Sequence, residues 1–444
     1  MTTRPLKFTF EGRAITAQEG QSLAGALHAD GVSVLSRSPK YHRPRGYTCG
    51  FAACGNCPLT VDGTPGVVSC TTPVRGGEHV AREQGFPTTG WDLIRASDLA
   101  KPLLPAGFQF RLFPKNPRLS ALAGAFMGVL AGGGRMPTPS AARSALVSDV
   151  LTDTPDVLVI GGSVSGLAAA LGAADAGCRV LVVDPSFSGG RAVVRTEPIH
   201  DAGQPVAKVS DHYRGLLKSA RQQEEITLLA GVAIGLLDGV VVVIAGATRH
   251  EITPARVVIA TGSYEIPALF ANNDRPGVML ADAAVKLAEL EGIAPGQEII
   301  VATDCDRGHD VAARLIAAGC RVTAVVDARL TVQRPATTYT VFTGLRPEYA
   351  HGWARLRSVS FTGASGTRKI RTDTLALAYG RRKSEEFALH AAYVEAGTHA
   401  DITDDNPQLP NSFLVVGTAT GEALYDTAEI RQRSRSHFRP QIRP

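Results

Sequence analysis

Residues 49–70 read CGFAACGNCPLTVDGTPGVVSC, which places four cysteines within one short stretch of the chain. Gaps of four, two and twelve residues separate them, and this C-x4-C-x2-C…C spacing is the plant-type arrangement for a 2Fe–2S cluster. Gly50 and Gly55 would let the backbone wrap closely and point its N–H groups at the sulfurs. We therefore predict a 2Fe–2S cluster with the ligands Cys49, Cys54, Cys57 and Cys70.

A zinc site with four cysteine ligands is the main alternative for this loop. Zinc sites more often have two C-x2-C pairs that lie far apart, whereas only Cys54 and Cys57 form such a pair here. The other cysteines, Cys178, Cys305 and Cys320, are scattered and have no partner motif. Redox chemistry at a disulfide is therefore not expected, and the tight group of four indicates metal binding.

The residues around the cysteine loop predict a small β-rich domain over residues 1–95. Lys7 to Phe10 and Arg13 to Thr16 alternate between apolar and polar residues, as paired strands do. Ser22 to His28 reads as a short helix, and Leu59 to Val61 as a strand that enters an Asp-Gly turn. We expect a β-grasp, ferredoxin-like domain.

Residues 96–152 are rich in Pro, Gly, Ala and Arg, and they predict a connector. Its most apolar stretch, Leu119 to Gly134, is too short to cross a bilayer. Because the N-terminus has no apolar leader segment, we expect a cytoplasmic protein without a transmembrane segment. Peripheral association with the inner face of a membrane is left open. A net charge of +5 without a basic stripe gives no support for nucleic-acid binding.

From residue 153 the pattern changes to alternating strands and helices, which is typical of an α/β fold. The strand Val157–Ile160 runs into GGSVSG at 161–166, then into a helix and a second strand that ends at Asp184. This order indicates a dinucleotide site, in which the helix N-terminus attracts a pyrophosphate and the acid binds ribose hydroxyls. The predicted site residues are Gly161, Gly162, Ser163, Ser165, Gly166, Asp184, Gly189, Gly190, Arg191, Thr261, Gly262 and Gly417.

Two departures leave the identity of the dinucleotide open. Ser163 stands where the second glycine is expected, and its Cβ keeps the backbone further from a pyrophosphate. FAD domains of this type usually end in a strand followed by Gly-Asp, whereas Gly417 is followed by Thr418. FAD is therefore only slightly favoured over NAD or another adenine nucleotide.

A second βαβ unit begins near residue 298. Its first loop, residues 301–308, lacks the glycine pattern, and Asp304 and Asp306 would repel a pyrophosphate. We predict a degenerate second dinucleotide-binding domain over 272–375, inserted into a first one formed by 153–271 and 376–444. The whole body is then disulfide-reductase-like, with two dinucleotide-binding domains, and the degenerate loop argues against a simple NAD(P)H reductase.

Arg37 to Gly46 reads RSPKYHRPRG, and Phe270 to Met279 reads FANNDRPGVM. With Pro105 to Phe108, these segments resemble the alpha subunit of heterotetrameric sarcosine oxidase, and the resemblance extends over nearly the whole chain. Related alpha-type subunits occur in dye-linked proline and hydroxyproline dehydrogenases, opine dehydrogenases and hydrogen cyanide synthase. For His42 and its basic neighbours two interpretations stand: tuning the cluster or meeting a partner, and, favoured two to one, docking one domain on another.

The resemblance implies the iron–sulfur subunit of a heteromeric flavin-dependent amine or amino-acid dehydrogenase or oxidase. A beta subunit with its own FAD would oxidise the substrate, and FMN would lie at the interface between the subunits. Electrons would pass through the 2Fe–2S cluster to an external acceptor. Which amine is oxidised would depend on the beta subunit.

Three differences from sarcosine oxidase refine this expectation. Its alpha subunits have lost the cluster cysteines, which places this chain nearer to the dehydrogenases. This chain also lacks the C-terminal folate-handling region and the C-terminal cysteine cluster of some dehydrogenase subunits, so a single cluster is expected. The alternatives are an NAD(P)H-dependent reductase with FAD and 2Fe–2S, and a scaffold subunit with a structural nucleotide.

Overall fold

The computed structural model describes residues 4–39, 41–85, 92–98, 116–130, 149–332, 338–396, 413–420 and 426–438. The chain divides into two compact units, one formed by residues 1–142 and 265–380 and the other by residues 143–264 and 381–444. Strands and helices alternate through much of the second half of the chain, so the predicted α/β class is confirmed. The domain boundaries proposed from the sequence stay a prediction.

The strands of the described residues are numbered in chain order. They are β1 Pro5–Phe10, β2 Arg13–Gln18, β3 Ser36–Arg37, β4 Pro44–Arg45, β5 Pro58–Val61, β6 Thr64–Val68, β7 His79–Ala81, β8 Asp149–Asp153, β9 Val157–Ile160, β10 Val180–Asp184, β11 His200–Asp201, β12 Gln204–Pro205, β13 Ile226–Ala230, β14 Val232–Leu237, β15 Val240–Ala245, β16 Thr248–Ile252, β17 Arg256–Ile259, β18 Ser263–Glu265, β19 Val278–Leu280, β20 Ile299–Thr303, β21 Val322–Asp327, β22 Thr340–Thr343, β23 Arg346–Gly352, β24 Leu356–Gly363, β25 Gly366–Arg371, β26 Thr374–Ala378, β27 Arg381–Lys383 and β28 Phe413–Val415.

The helices are numbered in the same way. They are α1 Leu23–Ala29, α2 Pro117–Leu130, α3 Val164–Ala174, α4 Val209–Gln222, α5 Ala281–Val285, α6 Arg307–Ala317, α7 Glu386–Ala396 and α8 Thr427–Phe438. A π-helical turn, Lys286–Leu290, continues α5 directly. No helix among the described residues is both long and apolar enough to cross a membrane.

The N-terminal part of the first unit is a five-stranded sheet in the order β2-β1-β7-β5-β6. Strands β1 and β2 pair through a two-residue turn in which Glu11 and Gly12 have φ of 50° and 80°, the backbone twist that tight hairpins need. Phe8 and Phe10 lie on the buried face of β1, as the alternation predicts. Helix α1 begins at Leu23 because the Ser22 side chain accepts a hydrogen bond from the Gly25 N–H.

The rest of the first unit is built on a parallel sheet in the order β19-β26-β20-β21-β22. An antiparallel sheet, β23-β24-β25, packs with it around a shared apolar core that includes Ile300, Leu375 and Phe361. Cys49 is part of this same core, although it comes from the cysteine loop. The cysteine loop is therefore packed against this second domain within one compact unit.

The second unit contains a parallel sheet in the order β13-β10-β9-β17-β28. The order reverses at β9, so the carboxyl ends of β9 and β17 border the crevice where such sheets bind ligands. Every residue of α3 is buried, since α8 covers it closely: a Cβ on Gly172 would lie 2.2 Å from the Arg431 carbonyl oxygen.

Two elements fall within the stretch predicted to be a connector. Helix α2 covers most of its apolar segment, with Leu119 and Leu122 exposed. Strand β8 pairs in parallel with β16 at the edge of a four-stranded sheet. Pro105 to Phe108, one of the segments that carry the family resemblance, lies outside the described residues.

Candidate functional site

The four cysteines of the predicted cluster lie together at one edge of the N-terminal domain. Cys49, Cys57 and Cys70 are buried, whereas Cys54 is exposed. The thiols approach one another within hydrogen-bonding reach in three pairs, Cys49 with Cys54, Cys57 with Cys70, and Cys49 with Cys70. The first two pairs suit a two-iron cluster, in which four thiolates are shared between two irons.

The backbone of the loop points its donors inward. The Ala52 N–H donates to Cys70 Sγ at 3.4 Å, and the Ala53 N–H donates to Cys49 Sγ at 3.3 Å. This turn requires left-handed backbone at Gly50, Ala52 and Gly55, whose φ values are 71°, 61° and 64°. Such N–H···S bonds stabilise thiolates and the clusters that they ligate.

The thiols cannot all ionise in the absence of a cation. Hydrogen bonds from Cys54 and Cys70 lower the pKa of Cys49, and a hydrogen bond from Cys70 lowers the pKa of Cys57. The same contacts raise the pKa of Cys54 and Cys70. As the side chains stand, the described residues contain no group of three or more His, Cys, Asp or Glu that could hold a metal ion. Loading the loop with iron would therefore release protons and draw the sulfurs closer.

Tyr47 provides a further test of whether the loop fits a cluster. Its hydroxyl is buried and has no hydrogen-bond partner among the described residues. It lies 3.2 Å from the point where a Cβ on Gly50 would stand. Burial raises the pKa of this phenol, and Glu291 and the cluster cysteines raise it further. A buried donor without an acceptor is costly, and the sulfurs of a bound cluster would supply acceptors.

The segment after β19 covers the cysteine loop from the other side. The Leu280 N–H donates to the Thr48 carbonyl at 2.9 Å. Gly50 lies so close to α5 that an added Cβ would be 3.3 Å from Ala283 Cα. Nothing in the sequence pattern predicted this contact, because more than 200 residues separate its two sides.

The two segments that carry the family resemblance contact each other. Arg43 and Arg45 form ion pairs with Asp274 at 3.2 and 3.1 Å, and Arg43 also bonds Asn272. Gly46 sits against Pro276, 3.0 Å from its Cβ to an added Cβ. These contacts support the docking interpretation of the basic loop.

His42 itself is buried and lies 2.7 Å from Asp92 through its Nδ1. Arg37 pairs with the same carboxylate at 3.2 Å and donates to the His42 carbonyl. The side chain of His42 therefore holds the loop in shape.

The glycine loop after β9 has the close packing that a dinucleotide loop needs. A Cβ on Gly166 would stand 1.8 Å from the Gly161 carbonyl oxygen, and one on Gly161 would stand 2.4 Å from the Ala260 carbonyl oxygen. Helix α3 begins at Val164, and the Ser163 hydroxyl donates to the Gly189 carbonyl at 3.0 Å instead of capping it. The first N–H groups of α3 thus receive no cap from Ser163, as an anion site requires.

Asp184 closes this loop from the end of β10. Its carboxylate accepts the N–H groups of Gly162, Ser186 and Phe187 at 2.9, 3.0 and 2.8 Å. A carboxylate offers about four acceptor positions, so capacity remains for one ribose hydroxyl.

The other predicted residues line the same end of the sheet. Gly189 begins a 3-10 turn that contains Gly190 and Arg191. Thr261 and Gly262 follow β17, and a Cβ on Gly262 would lie 3.5 Å from Thr418 Oγ1. A Cβ on Gly417 would stand 2.4 Å from Ser165 Oγ. The residues present therefore fit the pyrophosphate and ribose of an adenine nucleotide.

The equivalent loop of the inserted domain is differently occupied. Arg307, the first residue of α6, is buried and pairs with Asp282 at 2.8 Å and with Glu265. Asp306 pairs with Arg329 at 2.9 Å, and Arg329 also binds Asp327 at the end of β21. Side chains thus take the positions where a nucleotide would need donors, which supports the prediction of a degenerate site.

Residues 155–411, more than half of the 444, match the family model described as pyridine nucleotide-disulphide oxidoreductase. The chain belongs to this family. Residues 3–85 match a second model, a 2Fe-2S iron-sulfur cluster binding domain. This member of the pyridine nucleotide-disulphide oxidoreductase family therefore carries an iron–sulfur domain in front of its oxidoreductase body, as the sequence predicted.

Comparison with known proteins confirms the resemblance to the alpha subunits of sarcosine oxidase. The chain is 33% identical over 350 residues to the sarcosine oxidase alpha subunit of Rhizobium meliloti (strain 1021), which covers 73% of this chain and 34% of that protein. It is 30% identical over 211 residues to an opine oxidase subunit of Agrobacterium tumefaciens (strain Ach5), which covers 44% and 40%. The chain spans about a third of the length of the sarcosine oxidase subunits that it matches.

Among solved structures, L-proline dehydrogenase from P. horikoshii aligns over 94% of this chain and 69% of its own. The TM-score is 0.62 and the sequence identity 20%, which shows a shared fold. The fold of the pyridine nucleotide-disulphide oxidoreductase family member described here therefore extends over both of its sequence-matched parts.

Proposed function

We propose that this chain is the alpha-type, iron–sulfur subunit of a heteromeric flavin-dependent amine or amino-acid dehydrogenase or oxidase. In this proposal it relays electrons from a substrate-reduced flavin through a 2Fe–2S cluster to an external acceptor. The partner is an FAD-containing beta subunit that oxidises a C–H bond next to nitrogen, with FMN at the interface between the subunits. A cytoplasmic location belongs to the same proposal.

The observation that carries the proposal is the complete cysteine loop in a chain similar to sarcosine and opine oxidase subunits. The loop has all four thiols, two N–H···S bonds and a buried hydroxyl without an acceptor among the described residues. A 2Fe–2S cluster, when bound, takes up one electron at a time, whereas a flavin can accept two and release them singly.

The side chains of the cluster site would have different tasks. Cys49, Cys57 and Cys70 are buried and would exclude water from most of the site, whereas Cys54 is exposed at its edge. Because electron exchange with another protein needs a short path from the surface, we assign the exposed edge beside Cys54 to that exchange.

The nucleotide is proposed to lie at the carboxyl ends of β9 and β17. The N–H groups at the start of α3 would bind its pyrophosphate, and Asp184 would accept from a ribose hydroxyl. Thr418, adjacent to Gly262, stands where flavin domains of this type usually carry an acid. The proposal keeps FAD, with NAD or another adenine nucleotide as the alternative.

Cofactor analysis of the purified chain, with and without a co-expressed partner, tests this function. We expect about two irons and two acid-labile sulfides per chain, an S = 1/2 EPR signal after dithionite, and FMN only when the partner is present. Bound FAD that NADH reduces in the isolated chain would instead support a reductase. A nucleotide that never turns over would support a scaffold, and zinc or no metal would reject the electron relay.

A further inference from the structure

Lys286 lies against the cysteine loop although it belongs to the inserted domain. Its ammonium donates to the carbonyl oxygen of Gly50 at 2.9 Å and to that of Cys70 at 2.6 Å. The Phe51 ring centroid is 5.3 Å away, and only 14% of the lysine side chain is exposed. A positive charge is therefore held on the backbone of a predicted cluster ligand, partly shielded from water.

Glu291 supplies the opposite charge on the far side of Lys286. Its Oε1 lies 3.3 Å from the lysine Nζ, and its side chain is 2% exposed. The Ser22 N–H donates to this carboxylate at 3.2 Å, and the Ser22 hydroxyl donates to it at 3.0 Å. The pair is thus fixed to the N-terminus of α1 as well as to the cysteine loop.

The backbone brings the two charges to one face. Residues 286–290 form a π-helical turn, which the Glu291 N–H closes by donating to the Lys286 carbonyl at 3.1 Å. An i→i+5 bond places residue i+5 above residue i, where an ordinary α-helical turn would rotate it away. Such turns occur frequently at functional sites.

A buried ion pair is a weak source of stability, because the cost of removing both charges from water offsets their attraction. The placement of this pair on the ligand loop suits a different role. Charge near an iron–sulfur cluster is one of the factors that set its reduction potential.

We propose that Lys286 and Glu291 tune the reduction potential of the 2Fe–2S cluster in opposite directions. Reduction adds one electron and no atoms to the cluster, so its net charge becomes more negative. The ammonium of Lys286 stabilises that added charge, and the carboxylate of Glu291 opposes it. This inference rests on the cluster of the proposed function and adds the side chains that set its potential.

Lys286→Met removes the positive charge and keeps the length of the side chain. We expect the one-electron reduction equilibrium of the loaded full chain to shift about tenfold toward the oxidised form, which corresponds to about 59 mV. An EPR-monitored redox titration measures the midpoint potential. Lys369→Met is the matched control, because Lys369 is exposed on β25, and its midpoint potential should equal that of the unmodified chain.

Glu291→Gln makes the test two-sided. Removing the negative charge should shift the midpoint potential upward, opposite to Lys286→Met. The double variant Lys286→Met/Glu291→Gln leaves no buried unpaired charge and should return the potential toward that of the unmodified chain. It also covers the case in which Lys286→Met alone fails to fold.

Equal midpoint potentials in all these loaded variants would overturn the inference, as would shifts of Lys286→Met and Glu291→Gln in the same direction. A purely structural pair would lower the thermal midpoint of unfolding and leave the potential unchanged. If the unmodified chain binds no cluster, the proposed function fails first. If it binds a cluster whose potential ignores both charges, only this inference fails.

Discussion

At the scale of single residues, Gly166 is fixed by contact with the backbone. A Cβ there would stand 1.8 Å from the Gly161 carbonyl oxygen. We expect Gly166→Ala to lower the free energy of unfolding by about 1–3 kcal/mol and to deplete the bound nucleotide. Chemical denaturation and mass spectrometry of the released nucleotide measure the two effects.

Gly215 offers a control of opposite sign for that substitution. It is exposed in the middle of α4, and a Cβ there would meet nothing within 4 Å. Because alanine is the better helix former, Gly215→Ala should raise the free energy of unfolding by about 0.5–1 kcal/mol. Equal and small effects of the two substitutions would contradict the tight packing of the glycine loop.

Tyr47 carries the second prediction at this scale. Its buried hydroxyl has no partner among the described residues and lies beside Gly50. We expect it to donate to a sulfur of the loaded cluster, and a hydrogen bond to the reduced form contributes about 1 kcal/mol. Tyr47→Phe should therefore lower the midpoint potential by less than one tenfold step, measured by redox titration. Tyr349→Phe, at an exposed site, should leave it unchanged.

At the scale of elements, Asp426 holds the start of α8. Its carboxylate accepts the N–H groups of Ala428 and Glu429 at 2.9 and 3.1 Å, and those of Ala202 and Gly203. Burial raises the pKa of Asp426, but these backbone donors outweigh it and lower the pKa. The cap is therefore charged and complete at neutral pH.

Asp426→Ala should lower the free energy of unfolding by about 1 kcal/mol at neutral pH. Because the folded-state pKa is below the unfolded value, the charge-dependent part of this difference is present above the unfolded pKa. It is lost as the pH falls through the folded pKa. Urea unfolding at pH 7 and near pH 3 measures it. A difference that grows in acid would contradict the capping role.

The elements also show what local patterns can predict. The strands Val157–Ile160 and Ile299–Thr303 are continuous apolar runs, and the sequence located both. Helices α3 and α6 begin three residues before their predicted starts, because glycines and charged residues in the loops masked their first turns. Strand β8 was assigned to the connector, since its polar and exposed residues form a strand only through pairing with β16.

At the scale of the whole molecule, the sequence predicted which residues bind but not what surrounds them. Cysteine and glycine spacings are local, so they identified both candidate sites. The contacts of Lys286, Glu291 and Leu280 with the N-terminal domain join residues more than 200 positions apart. No periodicity in the chain records such contacts, and only the folded unit brings them together.

Those distant contacts predict how loss of the cluster spreads. Leu280 donates to Thr48, and Lys286 donates to Gly50 and Cys70, so a collapsed cysteine loop would lose its hold on residues 280–291. We expect hydrogen exchange of the amides in 280–291 to accelerate when iron is removed by acid or a chelator. Mass spectrometry of the loaded and iron-free chains measures this exchange.

Strand β9, which lies in the other compact unit, serves as the internal reference, and its exchange should stay constant. Acceleration confined to residues 49–70 would mean that the inserted domain keeps its structure without the loop's support. In that case, the packing of Cys49 into the core with Ile300 and Leu375 would contribute little to stability. Acceleration at both 49–70 and 280–291 would instead show that cluster and inserted domain form one cooperative element, through which cluster loading stabilises the fold.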